Sequence, residues 1–103
     1  MSKMITVAKT DELAPGTAKC FEVAGKKVAI FNIDGSYHAI GDACTHVGGS
    51  LSEGEVDGTT VLCPLHCAEF DIMTGQVLGP PADEDVPCYK VHVDGEDIQV
   101  EIP

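Results

Sequence analysis

Cys44, His46, Cys63 and His66 stand out in this chain as side chains whose types and spacing could do chemistry. They come as Cys44-Thr45-His46, then sixteen residues, then Cys63-Pro64-Leu65-His66. Each end offers one soft thiolate and one imidazole, one or two residues apart. That is four metal ligands in two short loops.

A structural zinc site is the plainest use of such a set. Such sites usually pair Cys with Cys and His with His, at spacings of roughly two to five residues. Here each loop mixes the types, an order zinc tolerates but does not need. Two irons bridged by two sulfides use the order better. If Cys44 and Cys63 take one iron and His46 and His66 the other, each loop reaches across the cluster from end to end. This is the mixed ligation in which two His replace two Cys on one iron. Two ferric ions, two sulfides and two thiolates sum to zero charge, and neutral imidazoles add nothing. Such a centre accepts an electron more readily than an all-thiolate one, at about −150 to +300 mV against about −400 mV.

The elements that must position these loops read as short strands between turn pairs. Strands are expected over 4–8, 18–23, 27–33 and 36–40. The third is apolar on both faces, as for a central buried strand. Thr10 would cap a single helical turn ended by Pro15-Gly16. Asp34-Gly35, Asp57-Gly58 and Asp94-Gly95 are two-residue hairpin signals, and Ala24-Gly25 is a further turn. The stretch 53–58 reads as acidic and turn-rich. Residues 59–62 form a short strand that delivers Cys63. Residues 69–73 and 76–78 make a hairpin across Thr74-Gly75, and Gly79-Pro80-Pro81 breaks regular structure. The chain closes with 88–93 paired to 97–102. There Val91, Val93, Ile98, Val100 and Ile102 share one face, opposite His92, Gln99 and Glu101. Many short strands at this spacing predict an all-β fold, a β-sandwich or small barrel, in one domain over 1–103.

Seventeen Asp and Glu stand against six Lys and no Arg, for a net charge of −11. That argues against nucleic acid or an anionic membrane as partner. The first residues hold no apolar signal core, and the longest apolar stretch, 28–33, is far too short to span a bilayer. Five cysteines, an odd number without a signal peptide, fit cytoplasmic metal chemistry better than a secreted disulfide scaffold.

The motif resembles that of the Rieske proteins. Cys44-Thr45-His46 with Gly48, and Cys63-Pro64-Leu65-His66 followed by Phe70-Asp71 and Thr74-Gly75, are similar to the two Rieske cluster loops, here about 42–50 and 62–71. Gly79-Pro80-Pro81, within about 79–82, resembles the family's proline loop. The similarity runs over nearly the whole chain, residues 37–42 included. It is closest to the small soluble Rieske ferredoxins of bacterial ring-hydroxylating oxygenases. The resemblance implies a β-sandwich base with a smaller cluster-bearing subdomain. It implies one [2Fe-2S] cluster, with His46 and His66 each binding iron through one ring nitrogen and leaving the other near the surface. Respiratory relatives brace the loops with a disulfide and place Ser and Tyr hydroxyls toward the cluster sulfurs. The matching positions here are Gly49 and Leu65, then Ala68 and Phe70. Fewer donors leave the added electron less stabilised, so a potential low in the Rieske range is expected.

The expected function is a soluble one-electron carrier with no catalytic residues of its own. No dinucleotide fingerprint is present, so electrons must come from a separate protein. The resemblance implies a flavin-containing NAD(P)H-dependent reductase as donor and a terminal Rieske oxygenase as acceptor, with a monomeric, cytoplasmic carrier between them. Oxygenases of this family act on aromatics, heteroaromatics, steroids and amines. The alternatives are the small Rieske subunit of an assimilatory nitrite reductase and a zinc-stabilised interaction module. Cys67 is expected to be a bystander beside His66. Cys20 and Cys88 are expected as small buried strand residues and His92 as a surface histidine. The acidic run Asp83-Glu84-Asp85 would steer partners.

Overall fold

Four turn pairs lay out the strands, and their backbone angles show how. In the computed structural model, which describes residues 3–42, 50–63, 68–79 and 85–102, Ala24-Gly25 and Asp34-Gly35 each have positive φ at both residues. Such turns match the right-handed twist of a hairpin. They join β2 (Ala18–Val23) to β3 (Lys26–Ile33) and β3 to β4 (Ser36–Gly41). The other two turns lie one residue later than the Asp-Gly pairs predict. Asp57 pairs with Thr60 and Asp94 with Asp97, so the central residues are Gly58-Thr59 and Gly95-Glu96. Only the glycine has positive φ in each, +62° and +61°. Glycine at the first central position suits a type II′ turn, which leaves the preceding Asp on the strand. The stretch read as turn-rich therefore contains β5 (Glu55–Asp57), paired with β6 (Thr60–Leu62).

The first helical turn exists as a 3-10 turn over Thr10–Glu12, but Lys9, not Thr10, is its cap residue. The Lys9 backbone N–H donates to the Glu12 carboxylate at 2.9 Å.

The strands form three antiparallel sheets. One holds β1 (Lys3–Lys9), β11 (Asp97–Ile102) and β10 (Val91–Asp94), in that order. The second runs β2, β3, β4, β9 (Cys88–Tyr89). The third runs β5, β6, β7 (Glu69–Asp71), β8 (Val77–Gly79). The strand expected over 88–93 divides at Lys90: Cys88 and Tyr89 pair with β4, while Val91 onward pairs with β11. A chain turning a corner between two packed sheets does this. Val93 lies opposite Ile98, on the expected face, yet it is exposed near the end of the sheet.

Two cores explain why β3 is apolar on both faces. Val28 and Ile30 pack toward the first sheet, with Ile98, Val100 and Ile102. Ala29 and Phe31 pack the other way, with Val61, Phe70 and Ile72 of the third sheet region. The second sheet is thus shared by a sandwich base and a smaller four-stranded unit, which is the all-β architecture expected. Asn32 is buried at the end of β3. Its Nδ2 donates to the Leu13 carbonyl at 2.7 Å and its Oδ1 accepts from Gly35 N–H at 2.8 Å. No helix among the described residues is long and apolar enough to cross a membrane.

Candidate metal centre

Of the four predicted ligands, Cys63 lies within the described residues; Cys44, His46 and His66 lie outside them, as do Gly49, Leu65 and Cys67. Cys63 follows directly on β6. Its backbone N–H donates to the Ala68 carbonyl at 2.7 Å, so residues 63 and 68 form the two feet of the second loop. The Cys63 side chain is 1% exposed and packs in the cluster that includes Val61, Ala68 and Phe70. Ala68 and Phe70, the positions expected to offer the cluster no hydroxyl, are fully buried.

The first loop has its feet at Asp42 and Ser50. Asp42 directly follows β4 and is 3% exposed. Its Oδ2 accepts from the Ser50 hydroxyl at 2.6 Å and its Oδ1 from Ser52 N–H at 2.8 Å. Its carbonyl accepts from Leu51 N–H at 2.7 Å, and its own N–H donates to Lys27 O at 3.0 Å. Burial alone would raise the carboxyl. Donation from the Ser50 hydroxyl, from Ser52 and from the Cys20 thiol outweighs it and holds the group below its ordinary range.

Pro80 and Pro81 lie outside the described residues, as do Asp83 and Glu84. The feet of that third segment are described. Val77 N–H donates to Asp85 Oδ1 at 2.8 Å, Val86 N–H to Gly75 O at 2.9 Å, and Gly41 N–H to Pro87 O at 2.8 Å. The last of these ties the third segment to the residue before Asp42. Gly75 has φ +78°, and a Cβ there would strike the Val86 carbonyl oxygen. Only glycine satisfies both demands. Residues flanking all three segments, Ile40 and Leu51, Cys63 and Ala68, and Val86, belong to one buried apolar cluster.

Two expectations fail. Cys20 and Cys88 are exposed rather than buried. Cys20 lies opposite Ala29, Ala29 opposite Ile40, and Ile40 opposite Cys88, so the two thiols end one row across four strands. Three strand spacings put their Cα atoms roughly 14 Å apart, too far for a disulfide. Each thiol is held protonated. Desolvation, and next to it the nearby Asp42 carboxylate, push Cys20 up to about 11. Cys88 is also raised, chiefly by desolvation, and donates to Met73 O at 3.3 Å. His92 is exposed as expected. With His38, Lys90, Tyr37 and Tyr89 it borders a groove of about 390 Å³.

The sequence reading missed the Asp42, Ser50 and Ser52 group. The signal available was an Asp just before the first loop and a Ser-x-Ser just after it, polar residues where a buried strand end needs partners.

The described residues make an all-β domain of three sheets in which the feet of three loop segments share one buried cluster with Cys63. Comparison with known proteins makes this specific. Residues 3–90 match the family model for the Rieske [2Fe-2S] domain. The biphenyl dioxygenase ferredoxin subunit of Pseudomonas sp. strain KKS102 is 44% identical over 92 residues, covering 88% of this chain and 84% of that protein. The ferredoxin of carbazole 1,9a-dioxygenase from Nocardioides aromaticivorans IC177 superposes with a TM-score of 0.90 at 34% identity, over 95% of this chain and 96% of that one. A chain from a complex of reduced oxygenase and oxidised ferredoxin in carbazole 1,9a-dioxygenase gives 0.87 at 28% identity, over 94% and 91%. A protein assigned as the small subunit of an NADH-dependent nitrite reductase from Mycobacterium tuberculosis gives 0.86 at 28%, over 100% and 97%.

The chain belongs to the Rieske [2Fe-2S] domain family. Its cofactor is one Rieske-type [2Fe-2S] cluster, and its role is electron transfer rather than bond-making catalysis. The zinc reading is thereby set aside. The described residues fit such a group: a buried thiol leaves β6 within an apolar wall that keeps water from it, and the adjoining loop feet are hydrogen-bonded shut.

Proposed function

We propose that this chain is the ferredoxin of a multicomponent oxygenase. It takes one electron from a flavin-containing NAD(P)H-dependent reductase and gives it to a terminal Rieske oxygenase in the cytoplasm. In this reading Cys44 and Cys63 hold one iron, His46 and His66 hold the other, and all of 1–103 is one monomeric domain. When bound, the cluster accepts and releases a single electron. The protein's part is to hold four ligands in fixed loops, to exclude water from the thiolate side, and to present the imidazole side to partners.

The observation that carries the reading is that residues flanking all three loop segments share one buried cluster containing Cys63. Rigid feet limit the movement of ligands between oxidation states, which favours fast transfer. The relatives named above as dioxygenase ferredoxins support the oxygenase side over the nitrite reductase alternative, at 44% and 34% identity against 28%.

The test is to purify the protein and measure iron, sulfide and the EPR spectrum after reduction. Two irons and two sulfides per chain are expected, with loss of that signal in Cys44→Ser, His46→Ala, Cys63→Ser and His66→Ala. A variant that keeps a normal spectrum would strike its residue from the ligand set. Reduction by a purified flavin reductase, followed by reoxidation only when a terminal oxygenase is added, tests the partners. Reoxidation by a nitrite reductase large subunit instead would favour the alternative.

A further inference from the structure

Every polar group of Asp42 is hydrogen-bonded, all but its N–H to residues just after the first loop. Its two carboxylate oxygens accept from Ser50 and Ser52. Its carbonyl accepts from Leu51, and its N–H reaches back to Lys27 on β3. The hydroxyls of Ser50 and Ser52 are 3.0 Å apart, closing the group on itself. The 3-10 turn Leu51–Glu53 then anchors Leu51 in the apolar cluster shared with Cys63.

We propose that Asp42 is a positioning residue: it clasps the two feet of the 43–49 loop together and so sets how firmly Cys44 and His46 are held for the cluster. This rests on the ligand assignment above. A seven-residue span with unfixed ends has many conformations, and closing its ends removes most of them before any metal binds. Hydrogen bonds to a buried carboxylate are among the stronger ones, and losing the acceptor leaves the half-buried Ser50 hydroxyl and Ser52 N–H without it. The loop's hold on iron therefore depends on a residue that is not itself a ligand.

The test uses the cluster-loaded protein and the rate of iron release to a ferrous chelator under anaerobic conditions. Asp42→Ala should speed release about tenfold or more, the scale expected for charge-assisted bonds. Ser50→Ala should speed it about threefold. Because both act through one clasp, the double variant should release iron no more than about twice as fast as Asp42→Ala alone. Asp42→Asn, which keeps one oxygen for Ser52 N–H, should restore part of the wild-type rate. The EPR signal of reduced Asp42→Ala should broaden as the ligands gain freedom.

Unchanged release in Asp42→Ala, or multiplication of the two single effects, overturns the clasp. So does hydrogen exchange showing that β10 and β11 loosen as much as the loop, because Asp42 would then serve the fold at large. Should Asp42→Ala not fold, the Asp42→Asn and Ser50→Ala rates decide the matter alone. A wild-type protein without the mixed Cys/His signature removes the ligand assignment instead, so the two failures are told apart.

Discussion

The Ser and Tyr hydroxyls expected at two positions in respiratory relatives are missing here, where Ala68 and Phe70 stand. Both side chains are buried and apolar, beside buried Cys63. The expected midpoint potential is accordingly near the low end of the range, about −150 mV near pH 7. Redox titration checks this, and a clearly positive value would contradict it. Cys20 gives a second prediction at this scale. Its thiol is raised from 9.0 to about 11 while the residue is exposed. Iodoacetamide labelling at pH 8 should be much slower than for a free thiol and should accelerate as the pH approaches 11. A raised acid pKa stabilises the fold fully below the unfolded value near 9 and loses that stabilisation as pH rises through about 11. Fast labelling at pH 8 would show that the thiol is not desolvated in solution as the structure places it.

At the scale of elements, the loops depend on glycines that bring backbones close. Gly75 joins the β7–β8 turn to Val86, and its φ of +78° is costly for an L side chain. Gly75→Ala should cost about 2 kcal/mol or more and lower Tm by about 10 °C. Thermal denaturation of the loaded protein measures it. Gly58→Ala also needs positive φ but meets nothing within 4 Å, so it should cost less. The contrast between the two separates backbone strain from collision. Element positions were largely legible in the sequence, because alternation and turn residues are local signals. The misplaced turns at Asp57-Gly58 and Asp94-Gly95 show the limit: either residue of the pair can begin a turn, and the register of the partner strand decides which one does. The exposure of Cys20 and Cys88 was not legible for a similar reason. Both lie at the ends of a four-strand row, and only the sheet order puts them there.

Across the whole molecule, charge is the dominant feature, at −11 for 103 residues. Of the acidic run after the proline segment, Asp85 already serves the fold by accepting from Val77 N–H. Steering is therefore best tested through Asp83 and Glu84 alone. Replacing both with amides should slow reduction by a basic partner about two- to tenfold at low ionic strength, with the rates converging at high salt. Stopped-flow measurements across a salt series decide this, and an unchanged salt dependence would end the steering idea. The exposed Lys9–Asp97 pair, at 2.8 Å on the far sheet, plays no comparable part.

The four proposed ligand residues, their alternating order and the all-β pattern belong to the sequence by itself, since ligand chemistry and alternation are properties of neighbouring residues. The absence of hydroxyls at Ala68 and Phe70 is legible there too. The tertiary structure decided what those residues rest on. It made the β2–β3–β4–β9 sheet common to two cores, rooted three distant segments in one cluster, and closed the first loop on Asp42 through Ser50 and Ser52. These are contacts between residues set by strand pairing and packing, and such long-range choices leave little mark on any short stretch of chain.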